Sequence, residues 1–233
     1  MSSPTPERRW YPFLVGLFTG TLIVSNIIAV KLVTVFGLVL PAAVVVFPLA
    51  YVLGDVLTEV YGYAYARRAI WTGFAANLVA VVAITLGGLL PPAPFWDAGL
   101  GSVTAAQRAY AALLGFTPRL LAASFTAYLA GEFLNAYVLA RLKVRTAGRW
   151  LWLRTIASTI VGEGVDSALF MTLAFYGVLP GVALAQAIVS QWLFKVTYET
   201  AVTPLTYLVT NALKRAEGLD PFDRETDFHP LRF

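Results

Sequence analysis

Asp55 and Glu59 lie four residues apart inside the stretch FPLAYVLGDVLTEVYGYAY, residues 47–65, which is otherwise largely apolar. On a helix that spacing places both carboxylates on one face. An aspartate at bilayer depth costs about 2.5–3.5 kcal/mol on insertion scales, so two acids on one face need partners, water or a ligand. Other apolar runs carry ionisable groups as well, at Lys31, Glu132, Glu163, Asp166, Lys195 and Glu199. The interior acids (Asp55, Glu59, Glu132, Glu163, Asp166, Glu199) outnumber the two mid-span lysines, Lys31 and Lys195, with Arg154 as a further cationic partner. Some ion pairing is required, because an unpaired buried charge is strongly destabilising. The surplus acids must be protonated, hydrated or bound to something that brings donors or positive charge. The expectation is a ring of helices around a polar cavity, with proton coupling chemically available.

Three of these acids share a local pattern. GDVLT (54–58), GEFLN (131–135) and GEGVD (162–166) each place a glycine, a carboxylate and then a polar residue three positions on. Glycine lets a helix, ligand or bent backbone approach closely. The acid and its i+3 neighbour share a face and can share a target. The second and fifth spans hold equivalent places in a three-plus-three arrangement, which admits an inverted repeat. The longer match between the second and fourth spans runs in parallel instead.

The elements that must position these groups read as an all-α, polytopic membrane protein with six transmembrane helices. The spans are expected at about 12–35, 41–61, 69–90, 119–142, 153–179 and 182–213, each near the roughly 20 residues that cross hydrocarbon. Pro48 is expected to kink the second. Residues 103–114 of the long loop have the spacing of a short interfacial helix. Gly16 and Gly20 form a small-residue stripe that permits close helix packing or a homodimer. The basic segments at the N-terminus, Arg67-Arg68, 141–149 and Lys214-Arg215 fall on one side if there are six spans, which puts both termini in the cytoplasm. Domain organisation follows: an N-terminal tail (1–11), a transmembrane unit (12–213) and a cytoplasmic C-terminal tail (214–233).

Composition excludes much else. Of 233 residues, 58% are hydrophobic and 13% charged, against about 45–50% and 25% for a soluble domain. With no cysteine and one histidine, His229 in the polar tail, thiol chemistry, Cys- or His-based metal sites and histidine triads are out. The net charge of +4 marks cytoplasmic loops rather than nucleic-acid binding. No Walker-type glycine loop is present, so the chain does not itself hydrolyse ATP through a P-loop. No cofactor is expected.

Several segments together carry a family resemblance: SNIIAVK (25–31), GDVLTEVYGY (54–63), LPPAPFW (90–96), GEFLN (131–135), RWLWLRT (149–155) and SQWLFKV (190–196), followed by Glu199 and Pro204. From about Ser25 to Arg215 the chain resembles the YhhQ/VUT-type queuosine precursor transporter family. The resemblance implies a multi-pass importer of the inner (plasma) membrane, bacterial or archaeal. Its substrates would be 7-cyano-7-deazaguanine, 7-aminomethyl-7-deazaguanine or the related base, for tRNA modification. Its partners would be that small molecule and the lipid bilayer, with no nucleic acid. Glu163 stands where many relatives would carry glutamine, which adds a titratable group.

That substrate class suits the residues. A guanine-like edge offers N1–H and an exocyclic amine, two parallel donors that one carboxylate can accept. Asp55, Glu132, Glu163 or Asp166 can supply it. Asn26, Asn135 or Gln191 can meet the O6 side, and Trp192, Phe47 or Tyr198 can stack on the ring. Lys195 and Glu199 complete the expected binding set, with Lys31, Glu59 and Arg154 as coupling or structural charges. Two rivals remain open: the substrate-capture subunit of an energy-coupling-factor vitamin transporter, and an intramembrane enzyme using Asp55 and Asp166 as general acid and base. The first reading is not an enzyme.

Overall fold

A computed structural model describes residues 8–35, 38–115 and 118–232. The described chain is helical apart from one short antiparallel hairpin. In order it runs α1 (Tyr11–Ile28), β1 (Leu32–Val35), β2 (Leu38–Pro41), a 3-10 turn (Ala42–Val45), α2 (Phe47–Tyr61), α3 (Tyr63–Leu89), α4 (Val103–Leu114), α5 (Pro118–Arg145), α6 (Leu151–Phe175) and α7 (Gly181–Glu217). The expected turn at Phe36-Gly37 and most of the N-terminal tail lie outside the described residues.

The first span is shorter than expected. α1 stops at Ile28, and the β-branched run that follows pairs as a hairpin in the register Leu32↔Pro41 to Val35↔Leu38, as such residues favour. Lys31 therefore lies beyond the helix end and is exposed, not mid-span. Pro48 does not kink α2. It sits in the first turn, where a missing N–H is harmless and the fixed φ favours initiation. The second helix ends at Tyr61 as expected, but the third starts at Tyr63 and not at 69, with Gly62 alone, at a φ of +83°, separating α2 from α3; only glycine adopts that conformation freely. Both arginines belong to α3. The short helix at 103–114 is where the sequence puts it, capped by Ser102, whose hydroxyl accepts from the Ala105 amide at 3.2 Å.

Among the described residues four stretches are long and apolar enough to cross a membrane: Tyr11–Ile28, Tyr63–Leu89, one within Val103–Arg145, and Leu151–Phe175. α2 has only 15 residues, and α7 is interrupted by Gln186, Gln191, Lys195 and Glu199. These two polar helices pack on each other, and α7 also packs on α6. α5 and α6 cross at Gly131 and Gly162. A Cβ on Gly162 would lie 2.7 Å from the Asn135 Cβ and 2.9 Å from the Gly131 carbonyl oxygen. α1 packs on α2 and α3, where Leu14, Phe18, Leu22, Leu53, Val56 and Leu57 form the apolar core.

The C-terminal tail is a docked strap. The Asp223 carboxylate accepts from the Tyr63 amide at 3.1 Å, capping α3 from a distant part of the chain. Arg67 donates to the carbonyls of Asp227 and His229, Trp71 to that of Pro230, and Tyr63 to that of Phe228.

Candidate functional site

α2 presents Tyr51, Asp55 and Glu59 at i, i+4 and i+8, a polar file rising about 12 Å along its axis. The other helices meet this file at two levels, and the two levels differ in charge balance.

At the first level Glu59 is fully buried. Its Oε1 accepts from Arg154 of α6 at 2.8 Å and from Lys214 of α7 at 2.6 Å, with Lys143 of α5 at 3.4 Å. Lys143 also donates to the Glu59 carbonyl oxygen at 2.7 Å. Asp220 of the strap closes the cluster, at 2.7 Å from Lys143 and 2.8 Å from Lys214. Three cations thus face two carboxylates. Burial works to raise the Asp220 pKa, but hydrogen bonds from the two ammonium groups outweigh it and hold the carboxyl below its ordinary value. This cluster is a lock that ties α2, α5, α6, α7 and the tail together. Glu59 and Arg154, expected as coupling or structural charges, are paired within it.

One turn along α2 the balance reverses. Of Asp55, Glu132, Glu163, Asp166 and Glu199, only Glu163 and Asp166 pair with a cation among the described residues, and they share the same one, Lys195. Lys195 lies 2.7 Å from Glu163 Oε2 and donates to Asp166 Oδ2. Tyr51 hydrogen-bonds Glu163, and the lysine ammonium sits 5.9 Å from the Tyr51 ring centroid. Asp55 is buried, with Oδ1 accepting from Asn135 Nδ2 at 2.9 Å and Oδ2 without a hydrogen-bond partner among the described residues. Asn135 Oδ1 and both oxygens of Glu199 are buried and unpartnered in the same sense. Glu132 leans on Gly54, where a Cβ would come within 3.3 Å of its Oε2.

The cavity that opens against Glu132 holds about 10 Å³ and is lined by Phe18, Gly54, Leu57, Thr58, Ile70 and Ala136. It has room for about one water and is far below the roughly 300–1,000 Å³ of a ligand pocket. A larger, open groove of about 610 Å³ runs between α6 and α7 beside Pro204, lined by Trp152, Ile156, Tyr207 and Leu208 without a charged group. Pro204 removes one helical hydrogen bond from α7 at that level.

The remaining expected site residues fall elsewhere. Asn26 donates to Asn77 Oδ1 at 2.8 Å and joins α1 to α3. Trp192 is spent on the α6 backbone, its Nε1 donating to the Ile160 carbonyl at 2.9 Å beside Gly164. Gln191 is half-buried on α7. Lys31 is remote from both clusters' partners and exposed. Sequence reasoning did not single out Tyr51, Lys143, Lys214 or Asp220. The signal was present in part: Lys143 follows Glu132 by 11 residues, three helical turns, and so shares its face.

A profile of the family described as "Putative vitamin uptake transporter" matches residues 41–209, from the end of the hairpin to the last third of α7. Over 206 residues the chain is 29% identical to the "Probable queuosine precursor transporter" of Bacillus subtilis (strain 168), covering 87% of this chain and 86% of that one. It is 31% identical over 165 residues to the "Queuosine precursor transporter" of Escherichia coli (strain K12), covering 70% and 68%. No solved structure matches.

Proposed function

Because the chain belongs to the family of vitamin uptake transporters just described, and sits in the inner membrane as a multi-pass protein, we propose that it imports a queuosine precursor of the 7-deazaguanine class in exchange for the free energy of proton entry. The reading is supported above all by one observation. Of five buried or half-buried carboxylates only Glu163 and Asp166 pair with a cation among the described residues, both with Lys195, a deficit of positive charge and donors that a flat heterocycle rich in N–H groups offsets.

The chemistry of each side chain follows from its partners. Asp55 and Asn135 are already joined, and their free oxygens face inward as acceptors for the N1–H and exocyclic amine of a guanine-like edge. Glu132, Glu163 and Asp166 are the acids to which a cationic aminomethyl group turns, in competition with Lys195. Glu199 is not in this contact set. Queuosine precursors end in tRNA, but the chain itself takes the free base and needs no nucleic acid.

A 10 Å³ space does not admit a heterocycle, so binding requires helices to part. α5 and α6 are pinned at the Gly131–Gly162 crossing, whereas the buried residues of α7 are Glu199, Thr203, Thr206 and Thr210 alone. α7, with Pro204 at its middle, is the helix that moves.

The deciding experiment titrates purified protein with 7-cyano-7-deazaguanine, 7-aminomethyl-7-deazaguanine, guanine and a panel of vitamins, from pH 5 to pH 8. Tight binding of the deazaguanines, weakened by Asp55→Asn, is expected. Preference for a vitamin, or uptake that needs an added energy-coupling ATPase complex, sinks this reading in favour of a capture subunit.

A further inference from the structure

Resting on the transporter reading, we propose that Glu199 is the residue that binds the driving proton, and that the threonine hydroxyls below it on α7 form its path toward the basic end of the molecule. Glu199 is 1% exposed, and neither carboxylate oxygen has a hydrogen-bond partner among the described residues. Lys195 lies one turn away on the same helix, but its ammonium is committed to Glu163 and Asp166. A buried carboxylate without donors is stable only if it is neutral or receives a cation. Among the described residues no group of three His, Cys, Asp or Glu side chains can hold a metal ion. The proton is the cation that needs no ligand set.

The charged and titratable groups around Glu199 leave it as the free acid. From α2 it meets Asp55, with Tyr51 and Glu59 one turn to either side. Glu199 is the charge that Asp55 senses most strongly. From α6 it meets Glu163, while Asp166 is tied to Lys195 and Arg154 is tied to Glu59. Glu132 and Lys143 come from α5, and Lys143 belongs to the lock. On α7 itself Lys214 is held by Glu59 and Asp220. No cation is left for Glu199 in this set.

The path is written in the same helix. Thr203, Thr206 and Thr210 follow Glu199 at intervals of four, three and four residues, so they share its face. All three are buried, in a helix with no other buried residue but Glu199. Thr203 donates to the Glu199 carbonyl oxygen at 2.8 Å. The hydroxyls of Thr206 and Thr210 have no hydrogen-bond partner among the described residues. A buried hydroxyl can both accept and donate a proton, and the file ends at Lys214. One proton bound turns Glu199 from charge −1 to 0; on release it passes along the hydroxyls to water at the end of the file, because Lys214 is already an ammonium held by Glu59 and Asp220, and Glu199 returns to −1.

The test reconstitutes wild type, Glu199→Gln and the double variant Thr206→Val/Thr210→Val in liposomes with the membrane potential clamped, using labelled 7-cyano-7-deazaguanine. Exchange of internal for external label at equal pH reads substrate handling alone. Accumulation under an acid-outside gradient of one pH unit reads coupling. For one proton per substrate the wild type accumulates up to about tenfold. Glu199→Gln is expected to lose the response of uptake to the pH gradient, and the threonine variant to slow accumulation while keeping exchange within about twofold. Accumulation by Glu199→Gln at the wild-type level overturns the assignment, as does a sodium gradient that drives the wild type in place of protons. If Glu199→Gln does not fold, an unslowed threonine variant overturns the path and with it the proposal. Wild-type exchange that ignores the pH gradient overturns coupling but leaves the substrate reading intact. Wild type that exchanges no deazaguanine overturns both.

Discussion

Glu59→Gln tests whether the lock is structural. The substitution keeps the shape and one acceptor oxygen but removes the charge that Arg154, Lys214 and Lys143 share. Local charge goes from three cations on two acids to three cations on one. Lys143 and Lys214 still have Asp220, and Lys143 keeps the Glu59 carbonyl. Arg154 keeps the Arg149 carbonyl and the Thr146 hydroxyl, at 3.3 Å for the latter, but loses its only carboxylate. Breaking a buried ion pair from one side costs about 3–5 kcal/mol. The surviving contacts put this case near the lower figure, about 3 kcal/mol, because only one cation is stranded. At about 2–4 °C per kcal/mol for a chain of this length, Tm should fall by about 6–12 °C. The assay is thermal unfolding in detergent followed by tryptophan fluorescence, with Trp150 and Trp152 next to Arg154 in sequence. Asp220→Asn is the control: its side chain is half exposed, so the loss should be about 1 kcal/mol or less. Combining Glu59→Gln with Arg154→Met, which removes the stranded cation, should recover part of the loss, a coupling that a double-mutant cycle isolates. A Tm for Glu59→Gln within about 2 °C of wild type, with or without the second change, would refute the lock.

Two further outcomes follow from the packing and the strap. Gly162→Ala forces a methyl to within 2.7 Å of the Asn135 Cβ and 2.9 Å of a backbone oxygen; the overpacking should cost about 1–3 kcal/mol and weaken deazaguanine binding through the displaced Asn135, both readable in one binding and melting series. Asp220 has a pKa held below its ordinary value by Lys143 and Lys214 against the opposing effect of burial, so its contribution is complete above the ordinary carboxylate value and is lost only as pH falls through the lowered one. A spin label on Leu219→Cys, next to Asp220 and packed against the apolar core in this cysteine-free chain, should therefore stay restricted at neutral pH and gain mobility only in acid, whereas mobility rising with pH would contradict the sign.

How far the sequence could be read depends on where each signal resides. α4 was legible to the residue because Ser102 caps it locally and its flanks are rich in glycine and proline. The C-terminal end of α1 and the start of α2 were not, since no glycine or proline interrupts 21–35 and only pairing with 38–41 decides that the last residues leave the helix. The acids were legible as a group, but their division was not. Asp55 and Glu59 share a face of one helix, and what separates them is Lys143 from the far end of α5, Lys214 from α7 and Asp220 from the tail. The strap left almost no trace in the sequence because it docks largely through main-chain carbonyls, at Asp227, Phe228, His229 and Pro230. Any side chain could have carried those carbonyls.

The two levels of the polar file rest on the same helices, α2, α5, α6 and α7, yet they make opposite demands. A cluster with more cations than acids, in which every charged group has at least one partner of opposite sign, holds its geometry without anything added. Five acids around one lysine cannot do the same, because like charges in a medium of low dielectric repel strongly and buried oxygens without donors have lost the hydrogen bonds of water. Such a cluster relaxes by taking in protons, water or a ligand, and each of those changes which helix positions are favoured. The lock and the strap fix the four helices at one level, so the response to charge at the other level must appear as movement on the far side of Asp55. There α7 has few buried residues to hold it, and the chain beyond Lys195 toward Gly181 is mostly exposed. On the function proposed above, occupancy of these acids is converted into displacement of one helix, which is the minimum a secondary transporter requires.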